Sequence, residues 1–147
     1  MQIFEWPARI QRDEDAHLVT FADFPAALTD GATKEEALIN AEDALVTVLA
    51  ELVDQGQPLP PQRPAKRSET MIGLSPVNAG KIALRLAMKD QGLTQKALAH
   101  RVGKTQQHVQ RCLKLDTNAR IEQLQQLIEA AGWHLVTAVR APDDKAA

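Results

Sequence analysis

The stretch GLTQKALAHRVGKTQQHVQRCL, Gly92 to Leu113, decides how the second half of this 147-residue chain is read. Two short helical patterns flank a glycine. Thr94 is placed to cap a helix running through Val102, Gly103 turns the chain, and Thr105 caps the next helix. Ala97, Leu98, Ala99, Val102, Val109 and Leu113 supply the small or apolar positions that let two short helices cross closely. On the side away from Val109 and Leu113, Gln106, Gln107 and Gln110 project from the opening turns of the second helix. A glutamine amide makes paired hydrogen bonds to adenine, and Arg111 suits guanine or a phosphate. Thr105 opens the helix where free N–H groups and the helix dipole favour an anion. The pattern is that of a helix built to lie in the major groove of DNA.

The flanking sequence agrees. Ser75 and Pro76 predict a helix from Pro76 to Gln91 that ends at Gly92. Asn118 is expected to cap a fourth helix, with Ile121, Leu124, Leu127 and Ile128 at helical spacing before Gly132. Trp133 to Arg140 reads as a terminal strand by its β-branched content, pairing either with another copy of the chain or with a sheet in the first half. From Pro76 to Arg120, nine Lys/Arg stand against two Asp/Glu, a balance suited to phosphate. The formal net charge of −2 conceals this: residues 1–56 hold three Lys/Arg against twelve Asp/Glu, and residues 57–147 hold fourteen against seven. An acidic half repels nucleic acid and suits a basic protein partner.

The elements of the segment Thr94-Gln95 through Gly103, followed by Lys104-Thr105-Gln106-Gln107-His108-Val109, resemble the helix-turn-helix of the Cro and phage-repressor class. The resemblance implies DNA contacts from Thr94, Gln95, Lys104, Thr105, Gln106, Gln107, Gln110 and Arg111, with Gln95 against the backbone and bracing a recognition-helix glutamine. It also implies two-fold dimers on inverted half-sites about one helical turn apart.

The first half reads differently. Phe4, Trp6, Ala8 and Ile10 alternate with more polar neighbours, and Pro7 marks that strand as an edge or a bulge. A second strand fits His17 to Ala22 and a short third fits Ala27 to Thr29. Thr33 with Glu36 three residues on is a capping-box pattern, and Ala37, Leu38, Ala41, Leu45, Val48, Leu49 and Leu52 then follow helical spacing as far as Gly56. The proline-rich segment 57–69 reads as an extended linker open to proteolysis, and Thr70 to Leu74 as a strand returning to the sheet. The expected architecture is therefore α+β: a β-β-β-α-β domain over residues 1–74, then an all-α helix-turn-helix domain with a terminal strand over 75–147.

Within that first domain, FADFPAALTDGATKEEALINAEDAL, Phe21 to Leu45, is similar to the HicB antitoxin family in its Phe24-Pro25 pair, Leu28-Thr29, the Gly31 turn, the Thr33 cap and the Glu36-Ala37-Leu38 helix entry. Asp15-Ala16-His17 stand where many members have Gly-Gly-aromatic. The resemblance implies a partial RNase-H-like domain that neutralises a small basic mRNA-cleaving toxin of the HicA type, and a helix-turn-helix that represses the operon encoding both. Glu35, Glu42, Asp43 and Asp54, on the polar side of the first helix, are the candidate toxin contacts. A homodimer, or a dimer of dimers, is expected on operator DNA.

Other chemistries fit poorly. Nuclease activity of the RNase-H kind needs several carboxylates converging on divalent metal, and QIFEWPARIQ offers only Glu5. His17, His100, His108 and His134 lie far apart, without ligand spacing to one another or to Cys112, so neither a metal nor another cofactor is expected. A single cysteine permits no internal disulfide and suits the cytoplasm. The longest apolar run, Ala44 to Ala50, is too short to cross a bilayer. The reading left open beside the antitoxin is a stand-alone repressor whose first domain senses a small ligand.

Overall fold

The computed structural model describes residues 1–142. Strands β1 (Glu5–Asp13), β2 (Ala16–Phe21) and β3 (Phe24–Gly31) form an antiparallel meander, α1 (Lys34–Asp54) covers one face, and β4 (Thr70–Gly73) completes a sheet of order β3-β2-β1-β4. Four helices follow: α2 (Pro76–Gln91), α3 (Gln95–Val102), α4 (Gln106–Leu113) and α5 (Ile121–Ala130). The third strand is longer than the sequence suggested, because Phe24 and Ala27 both face inward and Phe24 already pairs with Phe21. The first hairpin closes through a loop of two residues between Asp13 and Ala16, with Glu14 taking the left-handed conformation (φ 51°) that a glycine more often supplies.

The sheet face under α1 is built by alternation in β1 and β2, whereas β3 contributes Phe24 and Ala27, three residues apart. Trp6 and Ala8, Val19 and Phe21, Phe24 and Ala27 point inward and meet Ala37, Ala41, Leu45, Leu49 and Val53, which recur every fourth residue along α1. The Trp6 and Phe24 rings pack edge to face, 5.4 Å between centroids. Truncating Leu45, which is fully buried, to alanine would cost about 2–5 kcal/mol by transfer and cavity terms. Thr33 caps the helix as its position implied, its hydroxyl accepting from the Glu36 amide at 3.1 Å while Glu36 Oε2 accepts from the Ala32 amide at 3.2 Å.

Pro7 lies inside the sheet rather than on an edge strand. The strand tolerates it because β1 is used in two halves: Glu5–Ala8 pair with β4 and Arg9–Asp13 pair with β2. Each half has one ladder partner, so a missing N–H at Pro7 leaves no acceptor orphaned on the side where β2 has already turned away.

The proline-rich segment is not a free linker. It runs as a strap within the first domain, carrying the chain from α1 to β4 so that β4 enters antiparallel to β1. Trp6 Nε1 donates to the Pro60 carbonyl at 3.2 Å, Leu59 packs on the core, and Arg63 bridges Asp23 in the β2–β3 turn (3.0 Å) and Glu69 (2.7 Å). The segment is therefore docked at Pro60, Arg63 and Glu69, while Lys66, Arg67 and Ser68 stay exposed.

The buried apolar residues form two clusters that meet in α2, with Ile82 in the first and Ala83, Leu84, Ala87 and Met88 in the second. Gly80 lets α2 approach α5 closely, since a Cβ there would lie 3.1 Å from Leu124 Cδ1. Ser75 precedes α2 without capping it through its side chain; Glu42 of α1 does so instead, Oε1 accepting from the Ser75 amide and from Asn78 Nδ2, both at 2.7 Å. Two further expectations fail. The N-cap of α5 is Arg120 rather than Asn118, because Thr117 is held to the end of α4 through its hydroxyl on the Arg111 and Lys114 carbonyls, which keeps Asn118 in the connecting turn. Residues 133–140 form no strand: Trp133 is anchored by Asp90 (3.1 Å) and Arg140 by Glu5 (2.8 Å), and the intervening residues line a cleft of about 930 Å³ opposite Met1–Glu5.

Candidate nucleic-acid interface

Helices α3 and α4 form the helix-turn-helix. Each is capped by the threonine the sequence singled out: Thr94 Oγ1 accepts from the Ala97 amide and Thr105 Oγ1 from the His108 amide, both at 3.1 Å. Gly103 ends α3 in the left-handed conformation (φ 66°), which any side chain would strain. Val109, Cys112 and Leu113 turn inward against Leu98, Leu124 and Leu127, so helical geometry leaves Gln106, Gln107, Gln110 and Arg111 exposed together on the opposite face. Lys104 and Thr105 are exposed at the start of that face, where the first amides of α4 have no acceptor within the helix. Thr94 is exposed at the start of α3, and Gln95 is half-buried there. Among the described residues no hydrogen bond links Gln95 to a glutamine of α4, so the brace that the resemblance implied is not formed here.

The basic balance is partly internal. Lys81, Arg85, Lys89 and Arg101 each donate to a backbone carbonyl of another element, although Lys89 and Arg101 stay exposed; Lys96, Lys104, Arg111, Lys114 and Arg120 are the other exposed cations around the helix pair. Lys81 is almost fully buried, and burial pushes its ammonium below the usual lysine range.

His108 and Cys112 are one turn apart on α4 with Nε2 and Sγ 3.9 Å apart, so the expectation that no histidine stands at ligand spacing to Cys112 is corrected. Burial, with Lys104 and Arg111 nearby, lowers the histidine's pKa, and burial raises that of the thiol. Two groups do not make a metal site, and among the described residues no cluster of three or more His, Cys, Asp or Glu occurs.

The four acidic candidates on α1 separate. Glu35 and Asp43 are exposed. Glu42 is engaged with the start of α2, and Asp54 pairs with Arg85 at 2.9 Å. Sequence periodicity identified which side of α1 faces away from the sheet, but nothing in it showed that α2 covers part of that side.

The helix pair, its caps and its exposed glutamine face define a helix-turn-helix DNA-binding protein that carries a four-stranded α+β domain at its N-terminal side. Residues 84–134 match the helix-turn-helix family, and residues 5–83 match the HicB-like antitoxin of bacterial toxin-antitoxin systems; the chain belongs to the HicB-like antitoxin family. It is 32% identical to Antitoxin HicB 2 of Photorhabdus laumondii, over 88% of this chain and 92% of that protein. It is 32% identical to Antitoxin HicB of Escherichia coli K12, over 83% and 88% of the two chains, and 25% identical to Antitoxin HicB of Pseudomonas fluorescens, over 95% and 96%. No helix among the described residues is long and apolar enough to cross a membrane.

Proposed function

We propose that this antitoxin neutralises a small basic mRNA-cleaving toxin of the HicA type through residues 1–74 and represses the operon encoding both through residues 75–147. The observation that carries the reading is one chain presenting two surfaces of opposite character, an acidic helix face on the HicB-like domain and a cation-rimmed glutamine face on the helix-turn-helix. The toxin surface centres on Glu35 and Asp43. Asp43 borders a shallow groove between α1 and the open edge of β3, lined also by Ala26, Thr29, Asn40, Thr47 and Val48, and exposed Leu28 and Ile39 lie on the same two elements. Glu42 and Asp54 act at the junction with α2, and so influence the toxin surface indirectly. The DNA surface comprises Thr94, Gln95, Lys104, Thr105, Gln106, Gln107, Gln110 and Arg111, working in a cytoplasmic homodimer or dimer of dimers that performs no catalysis of its own.

A second reading is favoured by the cleft of about 930 Å³ between the two halves, lined by Phe4, Leu74, Trp133, Leu135 and Val139. A repressor that senses a small apolar ligand would bind it there. Co-expression of the chain with the short reading frame beside its gene separates the two. Rescue of growth from a toxic neighbour, with co-purification of the pair, is the expected result; a harmless neighbour that does not bind overturns the antitoxin activity proposed here and leaves the ligand-sensing repressor.

A further inference from the structure

Lys81, Arg85 and Lys89 stand at steps of four residues along α2 and so occupy one side of it. Lys81 Nζ donates to the Lys114 carbonyl (2.5 Å) and to that of Thr117, just beyond the end of α4. Arg85 Nη2 donates to the carbonyl of Leu113, the last residue of α4, at 2.7 Å, while its Nη1 holds the Asp54 carboxylate at 2.9 and 3.0 Å. Lys89 Nζ donates to the carbonyl of Asp54, the last residue of α1, at 3.0 Å. The C-terminal ends of α1 and α4, both negative by their dipoles, thus converge on one row of cations. Arg85 binds both ends and keeps its Nε buried without an acceptor while doing so. Leu115, immediately after α4, packs on the core of the first domain.

We propose that Asp54 and Arg85 are positioning residues for base reading: α1 of the N-terminal domain sets the inclination of the recognition helix through the bridge from Asp54 to Arg85 to Leu113. The inference rests on α4 being the helix that reads bases. A helix of eight residues is about 12 Å long, so a shift at Leu113 swings Gln106 and Gln107 at the far end by a comparable distance. Paired hydrogen bonds to a base edge fail within a few tenths of an ångström, whereas long lysine and arginine side chains follow a phosphate over a wider range. Loss of the bridge therefore removes sequence preference and spares general DNA affinity. Asp54 provides a clean probe because its carboxylate is repelled by phosphates: by charge alone, Asp54→Asn strengthens binding to any duplex. A fall in specific affinity on that substitution has to come through position.

The test uses full-length chains with a duplex selected by the wild-type chain from a random pool, beside a scrambled duplex of equal composition, at one salt concentration. Asp54→Asn is expected to weaken binding to the selected duplex about tenfold while holding or tightening binding to the scrambled one. Asp54→Glu, which keeps the carboxylate, restores wild-type preference, and Arg85→Met loses more than Asp54→Asn. Circular dichroism at the assay temperature confirms the fold; should Arg85→Met not fold, the two Asp54 variants decide. Wild-type preference in Asp54→Asn, or equal loss on both duplexes, overturns the proposal. A pool that yields no preferred duplex overturns it together with the base-reading role of α4, and leaves toxin neutralisation untouched.

Discussion

Gly31→Ala tests how tightly the meander is locked to α1. A Cβ at this last residue of β3 would lie 2.3 Å from the Ala37 nitrogen, 2.7 Å from Ala37 Cα and 2.8 Å from the Glu36 carbonyl carbon. All three are backbone atoms of one helical turn, so no rotamer change relieves the clash. Reaching an ordinary separation of 3.4 Å requires the start of α1 to move by about 1.1 Å. That movement lifts Ala37 and Ala41, both fully buried, from the sheet and stretches the Thr33 cap. Overpacking of this kind costs about 1–3 kcal/mol and a weakened cap about 1 more, so we expect a loss of about 3 kcal/mol. With a urea slope of about 2 kcal/mol per molar, the midpoint falls by about 1.5 M. Gly73→Ala is the control, because a Cβ there meets nothing closer than the Phe4 carbonyl at 3.9 Å, and its midpoint stays within about 0.5 M of wild type. Urea titration followed by tryptophan fluorescence, to which Trp6 contributes from its packing on Phe24 in the affected core, reports both. Equal midpoints for the two variants would refute the steric argument.

Three other outcomes are expected. Gln106→Ala or Gln107→Ala weakens binding to the preferred operator by about 1–3 kcal/mol in a gel-shift titration and leaves toxin neutralisation intact; an equal loss on unrelated DNA would show that these side chains do not read bases. Lys81→Met lowers stability by about 2 kcal/mol at neutral pH, because the carbonyls after α4 lose their charged donor. Burial lowers the Lys81 pKa in the folded chain, so between that lowered value and the ordinary 10.5 the unfolded chain binds more protons; the contribution of this group rises with pH across that window alone, and thermal melts of wild type against Lys81→Met should diverge in that direction there. The Glu69 carboxyl is held down to about 2 by its hydrogen bond and ion pair with Arg63, so its contribution is complete above about 4.5 and is lost as pH falls towards 2. Glu69→Gln should flatten the acid limb of the stability profile over that interval, and an unchanged limb would remove the Arg63 latch from the account.

What was legible in the sequence was written in local chemistry. Thr33, Thr94 and Thr105 announce helix starts, and Gly92 and Gly103 announce stops, because a cap bonds within three residues and a left-handed turn needs one residue. The exposed glutamine face of α4 followed for the same reason: once Val109 and Leu113 are inward, helical geometry sends Gln106, Gln107 and Gln110 outward. What was missed depends on partners far along the chain. Glu42 and Asp54 occupy the polar side of α1, yet both bond to side chains of α2, Asp54 while still largely open to solvent. Prolines signalled an extended segment, but its docking depends on Arg63 finding Asp23, 40 residues away. Trp133 to Arg140 has strand composition and no strand ladder within the described chain, since composition supplies a propensity and not a neighbouring edge. The His108 and Cys112 pair was a local feature that went unread; a spacing of four on a helix would have revealed it.

The strap also orders events in time. During synthesis the meander and α1 leave the ribosome first, while Trp6 waits for the Pro60 carbonyl, 54 residues later, and for Ile72 on β4. Until then β1 has an open edge along Glu5–Ala8, and the start of α2, which Glu42 caps, has not emerged. Long-range closures of this kind are slow steps, and they leave apolar surface exposed while they are pending. The first domain is therefore complete only once β4 and the start of α2 are present, and a chain that stops short of β4 leaves the Glu5–Ala8 edge unpaired.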